Sequence, residues 1–477
     1  MKRTRVIATI GPASRSPEVL RALSKAGMSV ARLNGSHSNL AWHEETIALI
    51  RDTLPDTPIL LDIPGRKIRT LQLEHEPVFL AGQTIILTTD TNHTGKEKVP
   101  VGYDKLHERL TAGVKLFADD GTLSFEVISV TGRDILVRAD MDGQLKSRKG
   151  INVPGIDLGQ SLVTAKDRDM IAFAKKQGVD YIGISFVESK AHIEAIRSLI
   201  DGHTPKIVAK VENAGGIEHL EEVVSAADVI MIDRGDLAVE TSIDRVAIYQ
   251  KQILRSATLA GKPTIVATEM LHSMIENPLP TKAEVSDITN AVFDGAAAVM
   301  LSGETAVGRY PVEAVSRISG ISQLAERYIS NHRETALPDK KNDIRSAIQA
   351  LTQALPVTKI IVLSRSGYGV RIASMSGSGI PVIAVGHDPA VTRSWNLFPG
   401  VTGIALDLAG LSSSAQDAKL IQTLLERRLV REDDYTLILS TQSDYAHLSG
   451  NLLRTLNIQS WLGNVGERQR SAAIEVA

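Results

Sequence analysis

The sequence of 477 residues predicts an α/β protein. It reads as a closed (β/α)8 barrel with an all-β lid inserted after the third strand and a smaller α/β domain at the C-terminal end. Three observations lead there. Short apolar runs rich in β-branched residues alternate with longer amphipathic stretches about eight times, as a barrel of β-α units requires. One connection, from about residue 70 to 154, is far too long and is itself made of short alternating segments. Beyond the polar run 332–343 the strand and helix alternation begins again. The expected domains are 1–69 and 155–335 for the barrel, 70–154 for the lid and 336–477 for the C-terminal unit.

The barrel strands are expected at residues 6–9, 30–33, 59–62, 181–185, 206–210, 229–232, 264–267 and 298–301, with helices at 16–26, 190–200, 244–259 and 283–293. Within the insertion, segments 84–88, 114–117, 123–130 and 135–139 alternate in polarity. Turn signals at Asp120-Gly121 and Thr131-Gly132 make them short strands of a small β domain. The insertion leaves the barrel on the face where strand C-termini and active sites lie, which suits a lid. Pro338-Asp339-Lys340-Lys341-Asn342 reads as linker, and 466–477 as a polar tail. Between them, apolar runs at 360–363, 382–385 and 437–439 with a helical stretch at 415–427 suggest a doubly wound sheet.

Composition removes several functions. Fifty-three Lys and Arg against 55 Asp and Glu leave a formal charge of −2, a poor polyelectrolyte partner for nucleic acid. With no cysteine, a disulfide framework, a thiolate metal site and a cysteine nucleophile are all excluded. The basic start Met1-Lys2-Arg3-Thr4-Arg5 leads into an apolar run that stops at Gly11-Pro12, short of the roughly 7 to 15 residues of a signal-peptide core. No uncharged apolar stretch approaches the roughly 20 residues that cross a bilayer. A cytoplasmic protein without membrane partners is expected.

Residues just beyond the strand C-termini of a barrel converge on one mouth. Here they are Thr9, Arg32 with Asn34 and Ser36, Asp62, Ser185, Lys210 with Glu212, Asp233 with Asp236, Thr268, and Ser302 with Glu304. Any one of them reads as a helix cap or a surface group, but carboxylates, a Lys and an Arg aimed at one point do not. Glu212 and Asp236 are hard oxygen ligands suited to an octahedral Mg²⁺, or Mn²⁺, completed by water and substrate oxygens. Arg234-Gly235-Asp236 places backbone N–H groups at a helix start, a seat for a carboxylate or phosphate.

Several motifs extend this pattern: Thr9-Ile10-Gly11-Pro12-Ala13-Ser14, Ala31-Arg32-Leu33-Asn34, Ser36-His37, Ile68-Arg69-Thr70 and Lys149-Gly150-Ile151-Asn152-Val153-Pro154-Gly155. They continue with Lys210-Val211-Glu212-Asn213, Arg234-Gly235-Asp236-Leu237, Ala267-Thr268 before Met270-Leu271, Pro280-Thr281-Lys282-Ala283-Glu284-Val285-Ser286-Asp287 and Met300-Leu301-Ser302-Gly303-Glu304-Thr305-Ala306. In this order, through most of the chain, they resemble the pyruvate kinase family. The resemblance implies a TIM barrel with a β lid and an α/β effector domain, a homotetramer, and glycolytic phosphoryl transfer from phosphoenolpyruvate to ADP, giving pyruvate and ATP. It also implies that Glu212 and Asp236 hold the divalent ion. Lys210 would neutralise the transferring phosphoryl group and the enolate, and Arg32 would fork onto phosphoryl oxygens. Gly235 and Asp236 would help seat the substrate. Thr268 would join a hydroxyl and water relay to the enolate carbon, a plain Thr being too weak an acid alone. The nucleotide would meet Thr9, Pro12, Asn34, His37 and Arg69, with Lys149 reaching from the lid.

Departures from the family pattern refine this. Its third-strand loop usually reads Asp-Thr-Lys-Gly-Pro-Glu-Ile-Arg, whereas this chain has Asp62-Ile63-Pro64-Gly65-Arg66-Lys67-Ile68-Arg69. In members with the Glu, K⁺ near the equivalents of Asn34, Ser36 and Asp62 helps neutralise the phosphoryl group. Lys67 can supply the same unit charge, as in the K⁺-independent members, so Lys67 is expected to act in catalysis and K⁺ not to be required. Gly35 stands for a usual Phe, Glu188 for Arg, Asp233 for a small residue and Glu269 for Gln, and three of these shift the anion site toward negative charge. Ser364-Arg365-Ser366-Gly367 resembles a remnant of the effector domain's phosphate loop, with Tyr368-Gly369 after it in place of phosphate-binding residues. The resemblance thus allows a phosphorylated effector without identifying one. Two other functions compete: a Mg²⁺-dependent lyase or aldolase acting on pyruvate enolate without nucleotide, and a catalytically weak, ligand-sensing paralogue.

Overall fold

A computed structural model of the chain describes residues 3–119, 121–156, 159, 161–202, 204–331, 344–409, 413–441 and 452–463. Eight parallel strands close into a barrel: β1 (Arg5–Thr9), β2 (Val30–Asn34), β3 (Ile59–Ile63), then, beyond the insertion, β13 (Tyr181–Ile184), β14 (Lys206–Val211), β15 (Val229–Asp233), β16 (Thr264–Ala267) and β17 (Ala298–Leu301). The order around the barrel is β1-β17-β16-β15-β14-β13-β3-β2. The intervening strands β4 (Ile68–Arg69), β5 (Val78–Phe79), β6 (Thr84–Thr88), β7 (Val99–Pro100), β8 (Lys115–Ala118), β9 (Leu123–Thr131), β10 (Asp134–Ala139), β11 (Gly143–Gln144) and β12 (Gly150–Asn152) all belong to the insertion and its roots. They form a seven-stranded sheet, β4-β12-β8-β9-β10-β6-β7, and a two-stranded ribbon, β11-β5, around a core of their own that includes Leu87, Phe125 and Val137.

The barrel strands are apolar on both faces, because each faces helices outside and neighbouring strands' side chains inside. Alternate residues part accordingly. Val6, Ala8, Ala31, Leu33, Leu61 and Ile230 pack outward with the helices, whereas Ile7, Val30, Leu60, Tyr181, Val208 and Met231 fill the interior. Local caps set the helices between. Ser16 accepts from Val19 N ahead of the helix Pro17–Ala26, which ends on Gly27 at φ 118°. Thr281 and Glu284 make a capping box on the helix Lys282–Phe293.

The C-terminal sheet differs from the sequence expectation in size and in one direction. Its order is β20 (Val401–Ala405), β19 (Val382–Gly386), β18 (Lys359–Leu363), β21 (Tyr435–Ser440), β22 (Leu452–Asn457), with β22 antiparallel. β20 escapes notice because Thr402 and Gly403 break its apolar run, and β22 because it is a half-exposed edge strand. The expected helix at 244–259 begins instead as a 3-10 turn, Ile243–Arg245, before Val246–Leu259. The linker 332–343, the tail 466–477 and Asp120 lie outside the described residues.

Candidate active site

The interior parity of the barrel decides what reaches its mouth. Two residues beyond interior Ile7, Val30, Leu60, Val208 and Met231 come Thr9, Arg32, Asp62, Lys210 and Asp233, so apolar filling gives way to charge one layer up. Gly183 on β13 makes room for this layer. A Cβ there would stand 2.6 Å from Asp62 Oδ1.

These buried groups neutralise one another. Arg32 Nη2 donates to Asp62 Oδ2 at 2.7 Å and Nη1 to Thr9 Oγ1 at 3.1 Å. Lys210 Nζ lies 3.0 Å from Glu212 Oε2, 3.0 Å from Asp233 Oδ2, 3.6 Å from Asp62 Oδ2 and 3.3 Å from Ser185 Oγ. Burial alone would lower the Lys210 pKa, but Asp62, Glu212, Asp233 and Asp236 outweigh it and hold the ammonium well above its ordinary value. Burial would raise Asp233 as well, yet Lys210, Lys67 and Arg32 keep it below the usual carboxylate range. Glu212 and Asp236 go the other way, pushed up by burial and then by their carboxylate neighbours.

Carboxylate oxygens of Glu212, Asp233 and Asp236 lie within 4.8 Å of one another. Glu212 is fully buried, and its Oε2 accepts no hydrogen bond beyond the ion pair with Lys210. This is the donor set of a hard divalent cation, and such an ion would relieve the repulsion that raises Glu212 and Asp236. Asp233 is the member that the motif reading did not assign to the metal. Its position at the very end of β15, on the interior parity, was the available signal.

Lys67 is buried with its Nζ 2.5 Å from Asp236 Oδ1. Its charge therefore stands on Asp236, the carboxylate expected to hold the cation. Thr268 follows β16 at φ 66°, with Glu269 at 55°, a left-handed pair that β-branched and charged residues rarely adopt. Arg234 braces it, donating through Nη2 to Thr268 O at 2.6 Å while Nη1 pairs with Asp287 Oδ2 at 2.6 Å. Sequence reasoning took Arg234 into account only through the backbone of Arg234-Gly235-Asp236. The Gly235 N–H donates to Thr268 Oγ1 at 3.0 Å, so it orients that hydroxyl.

The expected nucleotide residues come together only in part. Arg69 donates to Ser36 Oγ at 3.3 Å and to Arg148 O at 3.1 Å. Asn34 Oδ1 accepts from Ser36 N at 3.1 Å, and burial, followed by the charges of Arg69, Arg32, Lys149 and Arg148, lowers the pKa of the His37 ring. Lys149 Nζ is turned to Asp119 at 2.6 Å. Thr9 is buried under Arg32, donating to Leu301 O at 2.8 Å, while Pro12 is exposed on the next loop. The departures also find partners. Glu188 pairs with Arg66 at 2.5 Å, and a side chain at Gly35 would strike Met170 Cε at 2.6 Å and Asp62 O at 2.8 Å.

Comparison with known proteins agrees with this architecture. The family model "Pyruvate kinase, barrel domain" matches residues 1–315, and "Pyruvate kinase, alpha/beta domain" matches 342–455. A pyruvate kinase of Bacillus licheniformis is 37% identical over 92% of this chain and 77% of its own length. Pyruvate kinase 2 of a Synechocystis strain is 34% identical over 100% and 83%, and the pyruvate kinase of Thermococcus litoralis 34% over 96% and 98%. Fold and relatives together define a phosphotransferase built on a (β/α)8 barrel. The chain belongs to the pyruvate kinase family.

Proposed function

We propose that this protein transfers the phosphoryl group of phosphoenolpyruvate to ADP in glycolysis, with a bound divalent cation and without K⁺. The observation that carries it is the single buried layer in which Arg32 and Lys210 stand among Asp62, Glu212, Asp233 and Asp236. Glu212 and Asp236, with Asp233 beside them, would hold the cation, Mg²⁺ or Mn²⁺, which when bound supplies Lewis-acid polarisation of carboxylate and phosphoryl oxygens.

The chain's own groups do the rest. Arg32, aimed by Asp62 and Thr9, presents its guanidinium to the phosphoryl oxygens. Lys210 stabilises negative charge on the phosphoryl group in flight and on the enolate oxygen left behind. The enol-phosphate P–O bond breaks, a P–O bond to the ADP terminal phosphate forms, and the enolate carbon takes a proton. Thr268, its hydroxyl oriented by Gly235 N–H, holds the water that relays this proton. Asn34, His37, Arg69 and Lys149 form a polar, cationic wall for the nucleotide, with Thr9 and Pro12 at its barrel side. From its seat on Asp236, Lys67 contributes a fixed positive charge in place of the ion that other family members recruit elsewhere in the site.

The test is pyruvate formation from phosphoenolpyruvate and ADP with Mg²⁺, in K⁺-free buffer and again with KCl at constant ionic strength. Equal, substantial rates are expected. Activity only with K⁺ would retain the transfer reaction and remove Lys67 from its role, and no activity in either buffer would overturn the function.

A further inference from the structure

Both connections between barrel and lid end on one short helix. On the way out, Lys67 reaches Asp236 Oδ1 at 2.5 Å. On the way back, Asn152 at the end of β12 donates through Nδ2 to Glu240 Oε1 at 2.7 Å, with Asp236 Oδ1 3.5 Å away. Asp236 and Glu240 lie one turn apart on the helix Arg234–Glu240. β4 and β12 are themselves paired, Gly150 opposite Arg69 and Ile151 opposite Ile68, so the two connections form one ribbon.

The ribbon borders a cavity of about 60 Å³ lined by Ile68, Ile151, Phe186, Asn213 and Glu240 among others. Asn152 is 1% exposed, and its Oδ1 has no hydrogen-bond partner, so its one short bond, to Glu240, is where the amide is anchored. Burial pushes the Glu240 carboxyl up to about 7, as expected of a group enclosed in that seam.

We propose that Asn152 and Glu240 are positioning residues that clamp the lid root to the helix carrying Asp236, so that the seating of the Asp236 carboxylate and the docking of the lid are one coupled equilibrium. The proposal rests on the reading of Asp236 as a cation ligand. Partners of ligating carboxylates set ligand orientation, and their loss weakens metal binding.

The experiment is a Mn²⁺ titration of the full chain without substrates, followed by calorimetry, with amide hydrogen exchange across β4 and β12 measured in parallel. Asn152→Ala should weaken Mn²⁺ binding about tenfold and speed exchange in both strands. Glu240→Gln, which keeps an acceptor in place, should bind like the parent protein. Asp236→Asn separates the ligand role of Asp236 from the clamp. If it leaves Mn²⁺ affinity unchanged, the ligand assignment and the clamp both fall. If it weakens binding while Asn152→Ala binds as the parent does, the clamp alone is overturned. Should Asn152→Ala fail to fold, Asn152→Ser carries the same comparison, and parental affinity in that variant overturns the clamp.

Discussion

His192 is fully buried in the helix Lys190–Arg197, and that burial, followed by the charge of Arg66, lowers its pKa to about 4. An unfolded chain keeps the ordinary value of about 6.5. Between these values the unfolded state binds a proton that the native state refuses, so stability is full above about 6.5 and falls as pH drops toward 4, by on the order of 3 kcal/mol. His192→Gln should flatten this part of the profile. Thermal denaturation of both proteins from pH 7 to 4 checks it, and parallel profiles would clear His192. At this scale the sequence was informative about identity and poor about partners. Arg32, Lys210, Glu212 and Asp236 were legible because each lies near or just beyond the C-terminal end of a strand. The bracing of Thr268 by Arg234 was not, because it joins residues 34 apart through a side chain that sequence spacing cannot aim.

Among the elements, β12 approaches Lys67 closely near the site. A Cβ at Gly150 would stand 2.4 Å from Lys67 Cε, the far end of a flexible side chain, so Gly150→Ala should fold and displace Lys67 rather than the strand. We expect K⁺-free turnover to fall toward that of Lys67→Met, with little change in melting temperature. Unaltered K⁺-free turnover would show that the Lys67 pose is not required. The barrel strands were readable because burial on both faces leaves uninterrupted apolar runs. β4 and β12 were not, since two- or three-residue strands carry too few side chains for any periodicity and exist through their pairing.

For the whole molecule, the decisive contact is between the barrel floor and the C-terminal domain. Interior barrel residues such as Leu60 and Val208 share one continuous apolar cluster with Ile360, Trp395 and Phe398. Asp180, 1% exposed, ties the two together, accepting from barrel Arg51 at 2.7 Å and from Arg393 of the C-terminal domain at 2.9 Å. Asp180→Ala leaves both guanidiniums without this partner and should cost on the order of 3 kcal/mol. Calorimetry should then show the C-terminal domain melting ahead of the barrel, and an unshifted single transition would contradict the seam's role.

By itself, the sequence determined the strand and helix periods, the barrel with its interruption, and the residue types at the mouth. These follow from local rules: burial writes apolar periodicity into a chain, and strand ends converge once a barrel closes. Only the tertiary structure decided that Asp233 joins Glu212 and Asp236, that Lys67 rests on Asp236, that Asn152 meets Glu240, and that one apolar core runs from the barrel floor into the C-terminal domain. Each of these contacts joins residues far apart in the chain or depends on where a flexible side chain turns. Both are set by the packing of the whole, of which local pattern carried only the strand-end position of Asp233.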